Sequence, residues 1–306
     1  MAVTTAVEEL SEPAASVPAR TPKTRRSWKG GLRWLGVLPF AAYVSIFLLI
    51  PTGELIVDAF KGTHNQFTTA NVAAIVHGQY LQSFISSIEL AALSSLFGGV
   101  LGFFLTTAIV ARGAPSWLRS TMVTFSGMAA NFAGIPLAFA FTSTIGVGGV
   151  ITVLVQHFGI NLTSAVPLSG TLGLAVVYTY FQFPLMVLLI VPAVDGLKRE
   201  WREAAENLGA SAFQYWRRVA MPVLLPSLLG AMVLLFGGAF SAYATAEALS
   251  GSTGNLVTEY IANLLNGNIF VNAQLSYALA FGMIVVIAVL MIFYSAMQRR
   301  ANRWLR

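Results

Sequence analysis

The residues whose types and spacing could do chemistry are concentrated in one polar segment, REAAENLGASAFQYWRRVAMPVLLPS, at positions 202–227. Just before and within it, apolar side chains recur at i, i+4, i+7 and i+11: Leu197, Trp201, Ala204 and Leu208. This spacing predicts a short helix with one apolar face, and charged side chains occupy the rest of its surface. The chemistry that such a helix offers is ion pairing and packing against another surface.

Signals for a second helix follow directly along the chain. Gly209 stands where the end of a helix favours a residue in the left-handed conformation. Ser211 and Gln214, three residues apart, form the pattern of a capping box, and Pro222 marks the entry to the next apolar run. The sequence therefore predicts a helix, a glycine turn and a second helix.

Motifs of catalysis are absent from the sequence. No Lys follows a Gly, which excludes a phosphate-binding G-x-x-x-x-G-K-[ST] loop, and no nucleophile elbow G-x-S-x-G occurs. There is no cysteine, and His64, His77 and His157 stand far apart, without the spacing of metal ligands. We therefore expect no catalytic residue, no metal site and no cofactor bound by this chain.

The composition is that of a membrane protein, so membrane helices must position the polar segment. Of the 306 residues, 56% are hydrophobic and 10% are charged, whereas soluble domains carry about 25% charged residues. Several apolar runs reach the roughly 20 residues with which a helix crosses a bilayer. The sequence predicts an all-α membrane protein with six spanning helices, at 35–58, 86–110, 120–144, 171–194, 222–247 and 274–297.

The basic residues predict the orientation of these helices, because cytoplasmic loops carry the excess of Lys and Arg. Of the 18 Lys and Arg residues, all but Lys61 fall in the two tails and in the connections after the second and fourth helices. Both termini are therefore expected in the cytoplasm, and the basic excess indicates lipid contact rather than a nucleic-acid partner. The composition of residues 1–30 predicts a disordered cytoplasmic tail. Residues 31–306 are predicted to form a membrane domain with a cytoplasmic segment at 195–222.

Polar and aromatic residues inside the predicted spans are candidates for the lining of a solute pathway. They are Asn131, Tyr178, Tyr180, Gln182, Ser241, Tyr243 and Glu247. Packing or hydrogen bonding between helices is the alternative role of each. Glu247 and Tyr243, near the outer end of the fifth helix, would favour a cationic solute through charge and cation–π attraction.

Two further patterns concern packing and the outer surface. Ser94, Gly98 and Gly102 repeat at i, i+4 and i+8, which permits close approach between helices; a lining past which helices slide or a solute moves is the alternative. The outer connection 145–170 is too apolar for a free loop. It predicts a short interfacial or re-entrant helix, or an amphipathic surface helix.

The polar segment resembles the loop of the permease subunits of binding-protein-dependent ABC importers. That family's pattern is E-A-A, three residues, G, nine residues and I-x-L-P. Glu203, Ala204, Ala205, Gly209 and Pro222 occupy its positions with every spacing kept, and the two departures are conservative, Val219 for Ile and Met221 for Leu. The six-helix layout extends the resemblance over residues 31–306.

The resemblance implies a type I ABC importer permease fold and a coupling role for segment 195–222. In such permeases this loop docks on a cytoplasmic ATPase, whose ATP-driven closure switches the pore between inward-open and outward-open. The resemblance makes Glu203, Ala204, Ala205, Gly209 and Pro222 the ATPase-coupling residues. It also implies that this chain is not an enzyme and that ATP and Mg are bound by the partner.

The implied partners are two cytoplasmic ATP-binding subunits, a second permease chain and an extracytoplasmic solute-binding protein. A different second chain is favoured over an identical one, and the solute-binding protein would dock on the outer connections 145–170 and 248–273. The implied location is the bacterial inner membrane, in which the chain is a multi-pass protein.

Residues 178–211 are similar to permeases for polyamines, aminoethylphosphonate, ferric iron and sulfate, which implies a small polar solute, with a polyamine-like cation favoured. Within the same fold, a sugar, a phosphonate, sulfate or iron is the alternative. Outside it, a self-contained channel, a secondary carrier or a non-transporting assembly factor remains. These classes should tolerate changes in segment 195–222 that an importer permease does not.

Overall fold

The computed structural model describes residues 36–62, 65–110, 115–159, 162–165, 167–251, 255–266 and 273–303. The tail predicted over residues 1–30 lies outside these ranges. The described backbone is helical; it contains no strand, only a single bridge between Lys61 and Phe67. The prediction of an all-α fold is thereby confirmed.

The helices are numbered here in chain order. They are α1 (Leu38–Ala59), α2 (Ala70–Ile75), α3 (Gly78–Val110), α4 (Ser116–Asn131), α5 (Ile135–Ile145), α6 (Val150–Gln156), α7 (Leu162–Ala165), α8 (Thr171–Asp195), α9 (Arg199–Asn207), α10 (Ala212–Ser241), α11 (Ala244–Ser250), α12 (Val257–Asn266) and α13 (Ala273–Arg303). A π-helical turn interrupts α1 at Ser45–Leu49 and α10 at Trp216–Ala220.

By length and composition, six helical stretches within the described ranges can cross a membrane. They are Leu38–Ala59, Gly78–Val110, Ile135–Gln156, Thr171–Asp195, Ala212–Ser241 and Ala273–Arg300. Their number agrees with the prediction, and each is apolar over the length that a bilayer core requires. The short helix α6 forms within residues 145–170, where the sequence predicts one.

The chain falls into two units, which divide at Pro51. In the first unit, the described part of α1 buries no residue, and its large apolar side chains, such as Phe40 and Phe47, are exposed. Exposed apolar side chains of this kind suit a helix that lies in lipid. The second unit, from Thr52 onward, contains all the other helices and the buried core.

Helix α3 is the centre of the second unit and packs most extensively against α8 and then α10. Glycines make the contact with α8 possible. A methyl group added at Gly98 would lie 2.6 Å from Cβ of Gln182, and one added at Gly102 would lie 2.4 Å from the carbonyl oxygen of Phe183. Both distances are shorter than van der Waals contact, so the stripe predicted at Ser94, Gly98 and Gly102 is confirmed as a site of close helix approach.

Two buried apolar clusters flank this contact. The first surrounds Phe84 and Leu90 of α3 and includes Tyr178, Phe240 and Leu279. The second surrounds Phe103, and α8 and α10 provide its other members: Met186, Ile190, Val194, Leu224, Ala231 and Leu235. Burial of this apolar surface fixes α3, α8 and α10 together along most of their lengths.

Two predicted spans are broken in the structure. The single helix predicted over 120–144 is wrong: α4 ends at Asn131, and α5 begins at Ile135, after Gly134 with φ of +75°. Glycine tolerates this backbone conformation, and Pro136 in the first turn of α5 favours a helix start. The helix predicted over 222–247 likewise ends early, at Ser241, because Ala242 is extended.

We predict that G102A destabilises the chain by about 1–3 kcal/mol, since the added methyl group meets backbone and forces α3 away from α8. Thermal unfolding of the purified chain in detergent measures the effect. Gly237, inside α10, has no atom within 4 Å of an added Cβ and provides the matched control. G237A should be neutral or stabilising by up to about 1 kcal/mol. Equal losses in both variants would contradict the packing role of Gly102.

Candidate functional site

The polar segment 195–222 begins with a helix that ends in a well-defined turn. In α9 and the residues after it, the amide of Gly209 donates to the Glu206 carbonyl at 2.9 Å, and the amide of Ala210 donates to the Ala205 carbonyl at 2.9 Å. These two bonds form a Schellman motif, in which the residue just after the helix cap must adopt the left-handed conformation. Gly209 has φ of +76° and fills that position without strain, as the sequence predicts.

The second helix of the segment starts at the predicted capping box. The Gln214 amide donates to Oγ of Ser211 at 3.3 Å, and the Ser211 amide donates to Oε1 of Gln214 at 2.9 Å. The π-helical turn Trp216–Ala220 follows, and Pro222 then lies in the first turn of the α-helical part of α10. The segment therefore consists of two helices joined by a turn that hydrogen bonds define on both sides. The second helix continues into a membrane-capable helix.

Charged side chains on α9 form two ion pairs of the same geometry. Nε of Arg199 lies 2.6 Å from Oε1 of Glu203, and Nε of Arg202 lies 2.9 Å from Oε1 of Glu206. Both glutamate side chains are 48% exposed. Pairs this exposed contribute little to stability, so either carboxylate can exchange its arginine for a group on another protein.

Apolar side chains of the segment point outward as well. Leu208 is 87% exposed and Phe213 is 72% exposed, and the small residues Ala204, one turn before Leu208, and Gly209, directly after it, are exposed as well. The apolar face that the sequence predicts is thus exposed at Trp201 and Leu208, whereas its first residue, Leu197, is half-buried against the cluster formed by α3, α8 and α10. Exposed large apolar residues on a rigid turn are typical of an interaction surface.

The interior of the second unit contains two interrupted helices that are tied together. At the α4–α5 break, the Gly134 amide donates to Oγ1 of Thr245 at 2.9 Å. At the α10–α11 break, the Ala242 carbonyl accepts from the Tyr178 hydroxyl at 3.1 Å. Interrupted helices at membrane depth are tolerated where other groups satisfy the freed backbone, and these two bonds do so.

Three of the residues predicted to line a pathway lie between helices. Tyr178 and Gln182 are fully buried, and Nε2 of Gln182 donates to Oγ of Ser94 on α3 at 2.7 Å. Tyr180 is half-buried and packs edge-on against Phe141, with 5.6 Å between ring centroids. In the single chain these side chains join α8 to its neighbours.

The other four lie at the ends of the broken helices. Asn131 and Ser241 are exposed, and each donates to a carbonyl one turn earlier in its own helix. Tyr243 and Glu247 are half-buried around the α10–α11 break. Oε2 of Glu247 is buried and has no hydrogen-bond partner among the described residues.

Four residues with structural roles at or near these breaks were missed by the sequence reasoning. Gly134 and Pro136, in AGIP, are a recognisable signal for a helix start, but Thr245 is an ordinary residue in an apolar run. Glu259 is the fourth. It is fully buried in α12, accepts from the Leu256 amide at 3.1 Å and pairs with Ser250. No group of three or more potential metal ligands occurs in the described ranges.

Glu259 holds the connection between α11 and α12 together. It joins the end of α11, through Ser250, to the start of α12, where the Val257 amide also donates to Oγ of Ser87 on α3 at 3.0 Å. Burial raises the pKa of the Glu259 carboxyl, and the nearby Glu247 carboxylate adds to this, while the hydrogen bonds from Ser250 and Leu256 oppose it. The hydroxyl of Ser250 also donates to Ala246, so a protonated Glu259 can itself donate to Ser250.

Comparison with known proteins gives a family and a fold. Residues 150–303 match the family model described as binding-protein-dependent transport system inner membrane component. The sulfate transport system permease protein CysT of Salmonella typhimurium is 25% identical over 212 residues, 69% of this chain and 72% of that protein. The spermidine/putrescine transport system permease protein PotB of Haemophilus influenzae is 25% identical over 161 residues, 52% of this chain and 55% of that protein.

A solved structure shares the fold. A chain of a bacterial ABC transporter involved in the import of the acidic polysaccharide alginate superposes with a TM-score of 0.71 at 18% identity. The alignment covers 88% of this chain and 96% of that one. This confirms the importer permease fold that the resemblance implied.

We predict that E259Q keeps stability near neutral pH and flattens its pH dependence, because Gln keeps an acceptor for the Leu256 amide and a donor for Ser250. A carboxyl with a raised pKa stabilises the fold fully below its ordinary pKa, and this contribution is lost as the pH rises through the raised value. Thermal unfolding of the full chain from about pH 5 to about pH 8 tests it.

Two further variants complete this measurement. E259A removes both hydrogen bonds and should lose about 1–3 kcal/mol at every pH. E200Q changes an exposed glutamate of α9 and should leave the profile unchanged. An E259Q profile as steep as that of the unmodified chain would contradict the role of Glu259.

Proposed function

Because the chain belongs to the family of binding-protein-dependent transport system inner membrane components, we propose that it forms half of the solute pathway of an ATP-driven importer and couples to a cytoplasmic ATPase through segment 195–222. As a permease subunit it is a transport component, a multi-pass protein of the inner membrane. ATP and Mg are bound and used by the partner chain. The coupling residues are Glu203, Ala204, Ala205, Gly209 and Pro222.

The geometry of the segment supports this proposal most directly. Glu203 and Ala204 are exposed on α9, and the Schellman turn at Gly209 fixes the direction in which the chain leaves that helix. Ala204 lets a partner surface approach closely, Glu203 offers it a carboxylate, and Leu208 and Phe213 offer it apolar area. A rigid, outward-facing surface of this kind suits docking on another subunit.

The path from this surface into the membrane is continuous. Helix α10 runs from Ala212, next to the capping box, to Ser241, where the helix breaks. These 30 residues span about 45 Å at 1.5 Å per residue. Movement of the segment would therefore be transmitted along α10 to Ala242. The hydrogen bond between Ala242 and Tyr178 would then transmit it to the two helix breaks, without passing through a flexible connection.

We propose three kinds of protein partner. Two ATP-binding subunits would contact segment 195–222 and its counterpart, and a second, different permease chain would complete the pathway. An extracytoplasmic solute-binding protein would dock on the outer connections 145–170 and 248–273.

The lining of the pathway would come from residues at the broken helices, chiefly Asn131, Ser241, Tyr243 and Glu247, with Tyr178, Tyr180 and Gln182 behind them.

For the solute we propose a small polar cation of the polyamine type. The supporting observation is the Glu247 carboxylate, which has one oxygen without a partner among the described residues and lies near a second buried glutamate, Glu259. Negative charge here attracts cations and repels divalent anions. Sulfate is the second candidate, because the CysT relative aligns over more of this chain than PotB does.

E203R should lower association with the ATPase subunits and ATP-driven uptake at least about tenfold, because it sets a positive charge where the partner is expected to present one. Co-purification of the ATPase with the tagged permease and uptake into vesicles measure this. E206R is the matched control, since it makes the same charge change at a glutamate that is equally exposed, 48%, and that also pairs with Nε of an arginine four residues earlier.

The control should keep most of the association. Equal loss in both variants would mean that only the net charge of α9 matters. No loss with E203R, in a chain that inserts normally, would favour the channel or carrier classes.

E247Q should reduce uptake of radiolabelled putrescine by the reconstituted complex about tenfold, equivalent to about 1.4 kcal/mol of lost attraction. E54Q removes the same charge from an exposed position on α1 and should have no effect. Sulfate uptake that is unchanged or increased in E247Q, together with no putrescine uptake by the unmodified complex, would identify an anion importer instead.

A further inference from the structure

A pocket of about 850 Å³ lies beside segment 195–222. It is bounded by the final turns of α3 and α8 and by the beginnings of α9 and α10. Its apolar wall includes Phe104 on α3 and Trp216 on α10, and the side chains of Lys198, Arg199 and Arg202 line its other side. We call it the basic-rimmed pocket.

The rim is positive and can take an anion. No Asp or Glu is among the described residues that line the pocket. The ion pairs of Arg199 and Arg202 engage Nε of each arginine. A guanidinium carries five N–H donors in a planar fork that matches a phosphate, so the terminal nitrogens can bind a phosphate while Nε stays paired.

The wall of the pocket is apolar and belongs to membrane-capable helices. Phe104 and Val110 lie on Gly78–Val110, and Val194 lies on Thr171–Asp195, close to the ends of both spans. A pocket at the ends of two membrane-capable helices suits the level where the hydrocarbon core gives way to headgroups. Phe104 is 65% exposed, so an apolar chain can lie against it.

We propose that the basic-rimmed pocket binds one anionic phospholipid, with its phosphate at Arg199 and Arg202 and its acyl chain along Phe104 and Trp216. A soluble anion would use only the rim, and a neutral lipid would use only the wall. Basic pockets between membrane helices are known sites for anionic headgroups. The lipid contacts α3, α9 and α10 together and so stiffens the junction between segment 195–222 and the membrane helices.

Native mass spectrometry of the purified full chain tests this, with phosphatidylglycerol and phosphatidylcholine as probes. The unmodified chain should retain one phosphatidylglycerol more tightly than phosphatidylcholine. R199Q/R202Q should weaken that retention about tenfold. R217Q/R218Q is the matched control, because it removes two exposed arginines from the same segment that do not line the pocket.

A second variant tests the wall without changing the charge. Ala108 lines the pocket from an exposed position on α3, so A108W fills the space and leaves the core intact. It should also lose the lipid about tenfold, since the acyl chain loses its contact with the wall.

The outcomes separate lipid from other occupants. Equal retention of the two lipids, equal loss in the two arginine pairs, or full retention by A108W overturns the proposal. If R199Q/R202Q lowers ATPase association while lipid retention is unchanged, the pocket receives a segment of that partner, which also overturns it. Lipid retention by the isolated chain does not depend on the importer function, so failure here leaves that function standing.

Discussion

The close contact between α3 and α8 is the constraint on which both functional regions depend. Apolar burial drives helices together poorly when the surroundings are lipid, so helix pairs in membranes rely on small residues and close packing. Gly98 and Gly102 supply these on α3, and the Gln182–Ser94 hydrogen bond lies in the same interface. The contact holds α8 in place, and α8 carries Tyr178 toward one end and segment 195–222 directly after the other.

From this fixed helix, the two regions are built by different physics. Segment 195–222 is specified locally, by a left-handed glycine, a capping box and short-range hydrogen bonds. The interior breaks are specified by contacts between distant residues, because backbone groups released from helices in a membrane must find partners elsewhere in the chain. Helix α10 joins the two, since it begins at the capping box and ends at Ser241, next to Ala242.

This difference explains what could be predicted from the sequence. The turn at Gly209 and the cap at Ser211 follow from residues within a few positions, and hydropathy is enough for six membrane-capable helices. The break at Gly134 is stabilised by Thr245, 111 residues away, and no local pattern reports that bond. Composition likewise cannot separate Gln182, buried between helices, from Asn131, exposed at a helix end, because both are single amides in apolar runs.

The exposure of Leu208 and Phe213 likewise could not be predicted from local sequence patterns. Helical spacing shows that apolar residues share a face, but not whether that face is covered by the same chain. Within the second unit, the buried cluster around Phe103 is built from α3, α8 and α10, and α9 contributes no buried residue to it. The exposed apolar side chains therefore support the proposal that the segment forms half of an interface with another protein.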